Sequence, residues 1–112
     1  MVTQLSYAIK HVGDMSAAVR FHQERLGLKL RFQSPEWSEF ETGSTTLALH
    51  TASPEHPAGS CGLGFRVADI DAFYAQNSPQ AIKFTSPPTD LHGQRIAKFK
   101  DTDGAECSVS GT

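Results

Sequence analysis

The fold follows from the stretch Ala8-Ile9-Lys10-His11-Val12-Gly13-Asp14-Met15, because a related stretch, Gly64-Phe65-Arg66-Val67-Ala68-Asp69-Ile70, occurs in the other half of the chain. Aligning Val12 with Val67 gives an offset of 55 residues, about half of the 112-residue chain. Both stretches alternate between apolar and other side chains and reach an aspartate, which is a preferred N-cap of helices. The sequence therefore predicts an internal repeat, in which each half begins with a strand followed by a helix.

The segments that follow repeat in the same order. In the first half, Gly27 lies where a helix ends in a left-handed residue, and Thr42-Gly43 is typical of a hairpin turn. The predicted elements are helix Met15–Leu26 and strands Lys29–Gln33, Trp37–Glu41 and Thr45–His50, then strand Gly62–Val67, helix Asp69–Asn77 and strands Ala81–Thr85, Arg95–Lys100 and Glu106–Val109. Each half is thus predicted to have the order βαβββ.

The chain length predicts one domain, residues 1–112, built from two modules. Module one covers about 1–52 and module two about 61–112. Between them, the segment 53–60 carries two prolines and a glycine, which indicate a linker.

Composition argues against several classes of protein. The formal charge is −2, and no run of lysines or arginines is present, so we expect no nucleic-acid partner. No apolar run approaches the length of a transmembrane helix or a signal peptide, so we expect a cytoplasmic protein without membrane contact. Cys61 and Cys107 lack zinc-site spacing and are predicted to be reduced thiols. Because no Ser/His/Asp or Cys/His set can be assembled, we predict no catalytic residue.

These motifs, taken in order, resemble those of the vicinal oxygen chelate superfamily, which contains glyoxalase I, bleomycin-resistance proteins and extradiol dioxygenases. The matching motifs are Val12-Gly13-Asp14, Leu26-Gly27-Leu28, Gly64-Phe65-Arg66-Val67-Ala68-Asp69, Gly93-Gln94-Arg95 and Asp101-Thr102-Asp103-Gly104. The resemblance implies an α+β fold in which two βαβββ modules form a cup-shaped mixed sheet with the helices on its outer face. It also implies a homodimer that completes its cavities across the interface.

The resemblance further identifies where relatives hold a metal. Their four ligands correspond to Tyr7, Ala48, Gly62 and Ser108 of this chain. Zinc, nickel and iron need nitrogen, carboxylate or thiolate donors, whereas alanine and glycine side chains have none and a serine hydroxyl is a poor one. We therefore expect neither the usual metal nor another cofactor.

Strand alternation separates the side chains that pack on the helices from those that would line the cup. Positions on the helix side are mostly apolar, whereas the cup side is polar and mixed. The candidate ligand-binding residues are Tyr7, His11, Trp37, His50, Arg66, Glu106 and Ser108.

Several of these candidates allow two interpretations. If their strands run parallel, His11 and His50 are displaced equally from the ligand positions of relatives and could flank each other. They are then either hydrogen-bonding cavity residues or a displaced metal pair, with Glu106 as a possible third ligand. In one interpretation, Arg66 makes a bidentate contact with a ligand carboxylate or phosphate. In the other, it forms a salt bridge with Glu106 or lies exposed at the rim of the cup. Trp37 either stacks on a flat ligand or is an edge or interface aromatic.

Two further histidines lie in predicted loops. His56 falls in the linker and is expected to be solvated. The resemblance places His92 on a loop that overhangs the cavity of relatives, where it could contact a ligand.

The leading functional hypothesis is a metal-free small-molecule binding protein of the glyoxalase/bleomycin-resistance type, which sequesters a ligand in the sheet cavity at or near a dimer interface. The alternative is a superfamily enzyme, a lyase, isomerase or dioxygenase, with a displaced divalent-metal site near His11 and His50. A third hypothesis is a structural or regulatory module whose cup is filled by its own side chains.

Overall fold

A computed structural model of the chain describes residues 1–78, 80–91 and 93–112. The helices are α1 (Met15–Arg20), which continues into a π-helical turn (Phe21–Arg25), and α2 (Ile70–Asn77). The strands are β1 (Val2–Val12), β2 (Lys29–Gln33), β3 (Trp37–Glu41), β4 (Thr46–Thr51), β5 (Cys61–Val67), β6 (Lys83–Leu91), β7 (Gln94–Lys100) and β8 (Glu106–Gly111). Each half has the order βαβββ, and the strands of each half form a mixed sheet, as predicted for the α+β class.

The chain divides into two compact units. The first unit is Tyr7–Cys61, and the second unit combines Met1–Ser6 with Gly62–Thr112. The division falls within β1, so the first residues of this strand belong to the second unit.

In the first unit, the strand order is β2-β3-β4-β1. Strand β1 pairs with β4 in parallel, whereas β3 is antiparallel to both β2 and β4. One face of this sheet packs on α1, as the alternation predicts. The buried core of this face is Met15, Val19, Phe40 and Leu49.

In the second unit, β1 is followed by β5, β8, β7 and β6. Strand β5 runs parallel to β8, whereas β7 is antiparallel to both β8 and β6. The Ser6 hydroxyl donates to the Gly64 carbonyl at 3.1 Å, which joins the start of β1 to β5. The buried core of this unit is Val67, Ile70, Phe73, Ala97 and Val109.

The two helices begin in the same way, as the repeat predicts. Asp14 accepts a hydrogen bond from the Ala17 amide, and Asp69 accepts one from the Ala72 amide, each at 3.1 Å. These bonds satisfy amide groups that have no partner within the first turn of a helix. Within the described residues, neither helix has the length and apolar character needed to cross a membrane.

Most predicted elements end within two residues of the observed bounds, and two elements differ in a more informative way. Strand β6 extends to Leu91 through Pro87 and Pro88, although prolines usually interrupt strands. The extension is possible because β6 is an edge strand, where a missing amide donor costs little. The first helix changes from α to π geometry at Phe21, a change that apolar spacing does not reveal.

Candidate functional site

Five aromatic side chains of the first unit form a row in space, in which each ring lies next to the following one: Tyr7, Trp37, His50, His11 and His56. Ring centroids are 5.9 Å apart between Tyr7 and Trp37 and 5.8 Å apart between Trp37 and His50. They are 5.6 Å apart between His50 and His11 and 4.7 Å apart between His11 and His56. This ring row brings together four of the seven predicted ligand-binding residues.

Strand register explains the ring row. The parallel pairing of β1 with β4 places His11 opposite His50, and the antiparallel pairing of β3 with β4 places Trp37 opposite the same His50. Because alternate residues face opposite sides of a sheet, the neighbouring Leu49 instead enters the core on α1. The prediction that His11 and His50 would flank each other is confirmed.

Trp37 is held in place by hydrogen bonds. Its indole nitrogen donates to the Glu39 carboxylate at 2.8 Å. Arg31 contacts the same carboxylate at 3.4 Å and donates to the Thr46 hydroxyl at 3.1 Å. The orientation of the indole is therefore fixed by neighbours that the sequence did not single out.

His56 was expected to be solvated, and this expectation is wrong. The side chain is half-buried, and its ring stacks on His11 with 14° between the ring planes. His56 lies in a tight turn. The Ser53 amide donates to the His56 carbonyl at 2.9 Å, and the His56 amide donates to the Ser53 carbonyl at 3.1 Å. Proline and glycine in the linker indicated a loop but not the surface on which that loop folds.

His11 lies at the centre of the histidines. Its backbone amide donates to the Ser60 carbonyl at 2.9 Å, and its Nδ1 lies 3.3 Å from the Ser60 hydroxyl. Partial burial lowers the pKa of the His11 imidazole, a backbone hydrogen bond with Ser60 raises it, and electrostatic interactions with His56 and His50 lower it further. The lowered pKa favours a neutral His11 ring at pH 7.

The positions where relatives hold a metal do not fit a divalent cation. Ala48 is fully buried and offers only a methyl group, and Gly62 has no side chain. Ser108 lies opposite Gly64, which adds no donor. Among the described residues, no group of three or more histidines, cysteines, aspartates or glutamates could hold a metal ion.

The remaining predicted residues, Arg66, Glu106 and Ser108, lie in the second unit. Arg66 is paired with Ser110, whereas Glu106 lies four residues earlier on β8 and accepts a hydrogen bond from the Thr85 hydroxyl at 3.1 Å. Four strand residues span about 13 Å, which does not support the predicted alternative of an Arg66–Glu106 salt bridge.

The second unit also contains a cavity of about 410 Å³. Its lining residues are Arg66, Asp90, Gly93, Gln94, Arg95, Ser110, Gly111 and Thr112. Sequence reasoning identified Arg66 here but assigned no role to Gln94 or Arg95, although both belong to a motif that carries the family resemblance. The predicted ligand contact at His92 lies outside the described residues.

Comparison with known proteins gives these features a family. The sequence profile described as Glyoxalase/Bleomycin resistance protein/Dioxygenase superfamily matches residues 4–109. The chain belongs to this superfamily. The resemblance drawn from the repeat and its motifs is thereby confirmed. No curated protein sequence matches the chain.

Solved structures of the superfamily fold superpose over nearly the whole chain. The hypothetical protein BH1468 from Bacillus halodurans C-125 has a TM-score of 0.82 and 15% identity, covering 97% of this chain and 94% of that one. Methylmalonyl-CoA epimerase from Mycobacterium tuberculosis has a TM-score of 0.79 and 16% identity, covering 98% and 88%. A superfamily member from Vibrio splendidus 12B01 has a TM-score of 0.73 and 19% identity, covering 97% and 100%. At such identities the similarity demonstrates a shared fold.

Proposed function

We propose that this chain is a metal-free small-molecule binding protein of the glyoxalase/bleomycin-resistance type, which sequesters a flat, partly polar ligand against the ring row. The ring row is the observation that supports the proposal. Its neighbouring centroids are 4.7 to 5.9 Å apart and the planes of neighbouring rings are inclined by 14° to 82°, so the rings offer an aromatic surface of both faces and edges with imidazole nitrogens along it. Such a surface suits a planar molecule that carries hydrogen-bonding groups.

The fixed orientation of Trp37 supports this role. Its indole is already hydrogen-bonded to Glu39, so a stacking ligand need not immobilise a freely rotating side chain. Avoiding that loss of conformational entropy increases affinity. At the other end of the row, the lowered pKa of His11 leaves a neutral imidazole that can accept or donate a hydrogen bond.

Sequestration is favoured over metal-assisted catalysis by the chemistry of the side chains. Ala48 and Gly62 supply no donor where relatives bind their metal, and Ser108 supplies only a hydroxyl. We assign no catalytic residue, and the binding role requires none.

Trp37 provides a direct test because it is the only tryptophan in the chain. Its emission is titrated with a purine nucleoside, a quinolone and a naphthoate, while thermal-unfolding shifts are recorded in parallel. We expect saturable changes for at least one planar compound, and about tenfold weaker binding in Tyr7→Ala, corresponding to loss of about 1.4 kcal/mol. Tyr7→Phe keeps the ring and should bind like the natural protein.

A matched control is Phe32→Ala, because Phe32 is an exposed aromatic residue of β2 that is not part of the ring row. Its removal should leave the affinity unchanged. If no planar compound alters the emission or the unfolding temperature, the binding proposal is wrong. Equal loss of affinity in Phe32→Ala and Tyr7→Ala would place the ligand elsewhere.

We also propose that the chain forms a homodimer and that the ligand lies at or near its interface, as the family resemblance implied. Analytical ultracentrifugation with and without the compound that binds best is the test. A dimer that ligand stabilises supports this part of the proposal. A monomer in both conditions contradicts it without affecting the Trp37 titration.

The second candidate function is a superfamily enzyme with a displaced divalent metal near His11 and His50. One observation favours it, namely that the two rings lie opposite each other on paired strands, 5.6 Å apart. Elemental analysis of the purified protein for zinc, nickel and iron tests this. The metal should be present stoichiometrically and should be lost in His50→Ala, and an unchanged metal content in that variant would refute this function.

A further inference from the structure

The cavity of the second unit has a polar lining that the ring-row proposal does not use. Its volume of about 410 Å³ falls in the range of small-molecule sites. The lining is formed by residues at the ends of β5 and β8, by residues of β6 and β7 and by Gly93. We call it the Arg66 cavity.

The two arginines of the Arg66 cavity have different surroundings. Arg95 donates to both carboxylate oxygens of Asp71, at 2.9 to 3.2 Å, and contacts Asp90 at 3.3 Å. These bonds raise the pKa of Arg95 and lower that of Asp71. The guanidinium of Arg66, in contrast, has no carboxylate or carbonyl partner among the described residues. Arg66 is therefore the cation that remains available to a ligand.

Two neutral donors accompany Arg66. Ser110 lies opposite Arg66 on the paired strand, so both side chains occupy the same face of the sheet. Within the described part of the chain, neither the Ser110 hydroxyl nor the Gln94 side-chain amide has an intramolecular hydrogen bond. The cavity thus collects a guanidinium, a hydroxyl and an amide that all have unused donors.

The charge balance indicates which anion fits. Arg66 and Arg95 together carry the same formal charge as Asp71 and Asp90, with opposite sign, so the group is neutral overall. A dianion would gain little from such a balanced group and would be repelled by Asp90. A single carboxylate matches the planar fork of one free guanidinium.

We propose that the Arg66 cavity binds a small monocarboxylate. Arg66 donates two hydrogen bonds to the carboxylate oxygens, and Ser110 and Gln94 donate further hydrogen bonds to the same group or to a neighbouring polar atom. This site is independent of the ring row, and either can exist without the other.

Amide NMR of the full chain, titrated with sodium butyrate at constant ionic strength, tests the proposal. Butyrate is aliphatic and cannot stack on the ring row. We expect saturable shifts of the amides of Gly93, Gln94, Gly111 and Thr112, with no change of the Trp37 indole signal. Arg66→Gln should weaken binding at least tenfold, and Arg66→Lys, which keeps the charge but not the fork, about threefold.

The control variant is Arg20→Gln, because Arg20 is an exposed arginine at the end of α1 in the first unit. It should bind butyrate like the natural protein. The neutral isostere butyramide should produce no saturable shift. Shifts that do not saturate, or that persist unchanged in Arg66→Gln, would overturn the proposal.

Inorganic phosphate at matched ionic strength separates the two kinds of oxyanion. We expect it to bind more weakly than butyrate. Tighter phosphate binding that is lost in Arg66→Gln would overturn the choice of a carboxylate. A butyrate result of either sign leaves the Trp37 titration unaffected, so failure here is distinguishable from failure of the ring-row proposal.

Discussion

The two units have similar side chains at the positions that pack on their helices and differ in the side chains that face away from the helices. Phe40 pairs with Leu47 in the first unit as Phe99 pairs with Cys107 in the second, and both phenylalanines contribute to the cores. On the opposite face, the first unit carries the ring row, whereas the second carries glycines, serines and Arg66. The comparison teaches that the two modules resemble each other at the positions that form their cores and differ at the positions on the opposite face, where a ligand would bind.

The largest expected difference between the units concerns their core phenylalanines. Phe40 is fully buried, whereas Phe99 is half-buried among aromatic neighbours. Phe40→Ala should lower the free energy of unfolding by about 4 kcal/mol, and Phe99→Ala by about 2 kcal/mol, because the cavity and the lost contacts scale with burial. Urea denaturation measures both values. Equal losses would show that burial does not distinguish the two cores.

A second difference lies at the end of the last strand of each module. A Cβ on Gly111 would lie 2.5 Å from the Val67 carbonyl oxygen, a backbone contact that cannot yield easily. The corresponding position of the first unit is Thr51, which faces Val12 across the sheet and tolerates a side chain. Gly111→Ala should cost about 2 kcal/mol of unfolding free energy, as overpacking does. Thr51→Ala is the matched control, and a comparable loss there would contradict the explanation.

The helix caps should behave alike in the two units. Asp14 and Asp69 accept from the third residue ahead at the same distance of 3.1 Å. Asp14→Ala and Asp69→Ala should each lower the free energy of unfolding by about 1 kcal/mol. Asp14→Asn and Asp69→Asn should retain most of the stabilisation by the cap, because asparagine is also a preferred N-cap. Denaturant titration compares the four variants. A much larger loss at one position would show that this aspartate does more than cap its helix.

The smallest predicted effect is a pH dependence in the first unit. Because the folded protein lowers the pKa of His11, its unfolded chain binds more protons in the window from pH 6.5 down to the folded value. The free energy of unfolding that is linked to His11 is therefore highest above pH 6.5. It falls as the pH drops through this window and levels off below it. Urea midpoints between pH 7.5 and pH 5 should show this slope, and His11→Asn should reduce it. An unchanged slope in that variant would assign the effect to another group.

Much of the fold could be predicted because it depends on local signals. The offset between Val12 and Val67, the capping aspartates and the alternation of apolar residues are all readable along the chain. The length of β6 was underestimated, because Pro87 and Pro88 are permitted only by its place at the sheet edge. The π-helical turn after Arg20 was missed, because no short-range pattern distinguishes it from an α-helical turn.

The candidate sites were only partly predictable. The pairing of His11 with His50 followed from the assumption of parallel strands and the equal displacement of both residues along them. Three other contacts could not be predicted from the pairing of strands. They are the stacking of His56 on His11, the hydrogen bond between Trp37 and Glu39, and the pairing of Arg95 with Asp71. Such contacts depend on turn geometry and rotamers, which are set only when the surrounding chain is packed.

The sequence by itself determined the two βαβββ modules and the face on which each strand residue lies, because these follow from periodicity, capping and internal repetition. It also indicated the family, through the resemblance of its motifs to those of known members. Only the tertiary structure decided which rings touch, which arginine is already neutralised and where the linker folds. The physical reason is that periodicity is a property of neighbouring residues, whereas contact and charge pairing are properties of distances between segments that the chain brings together.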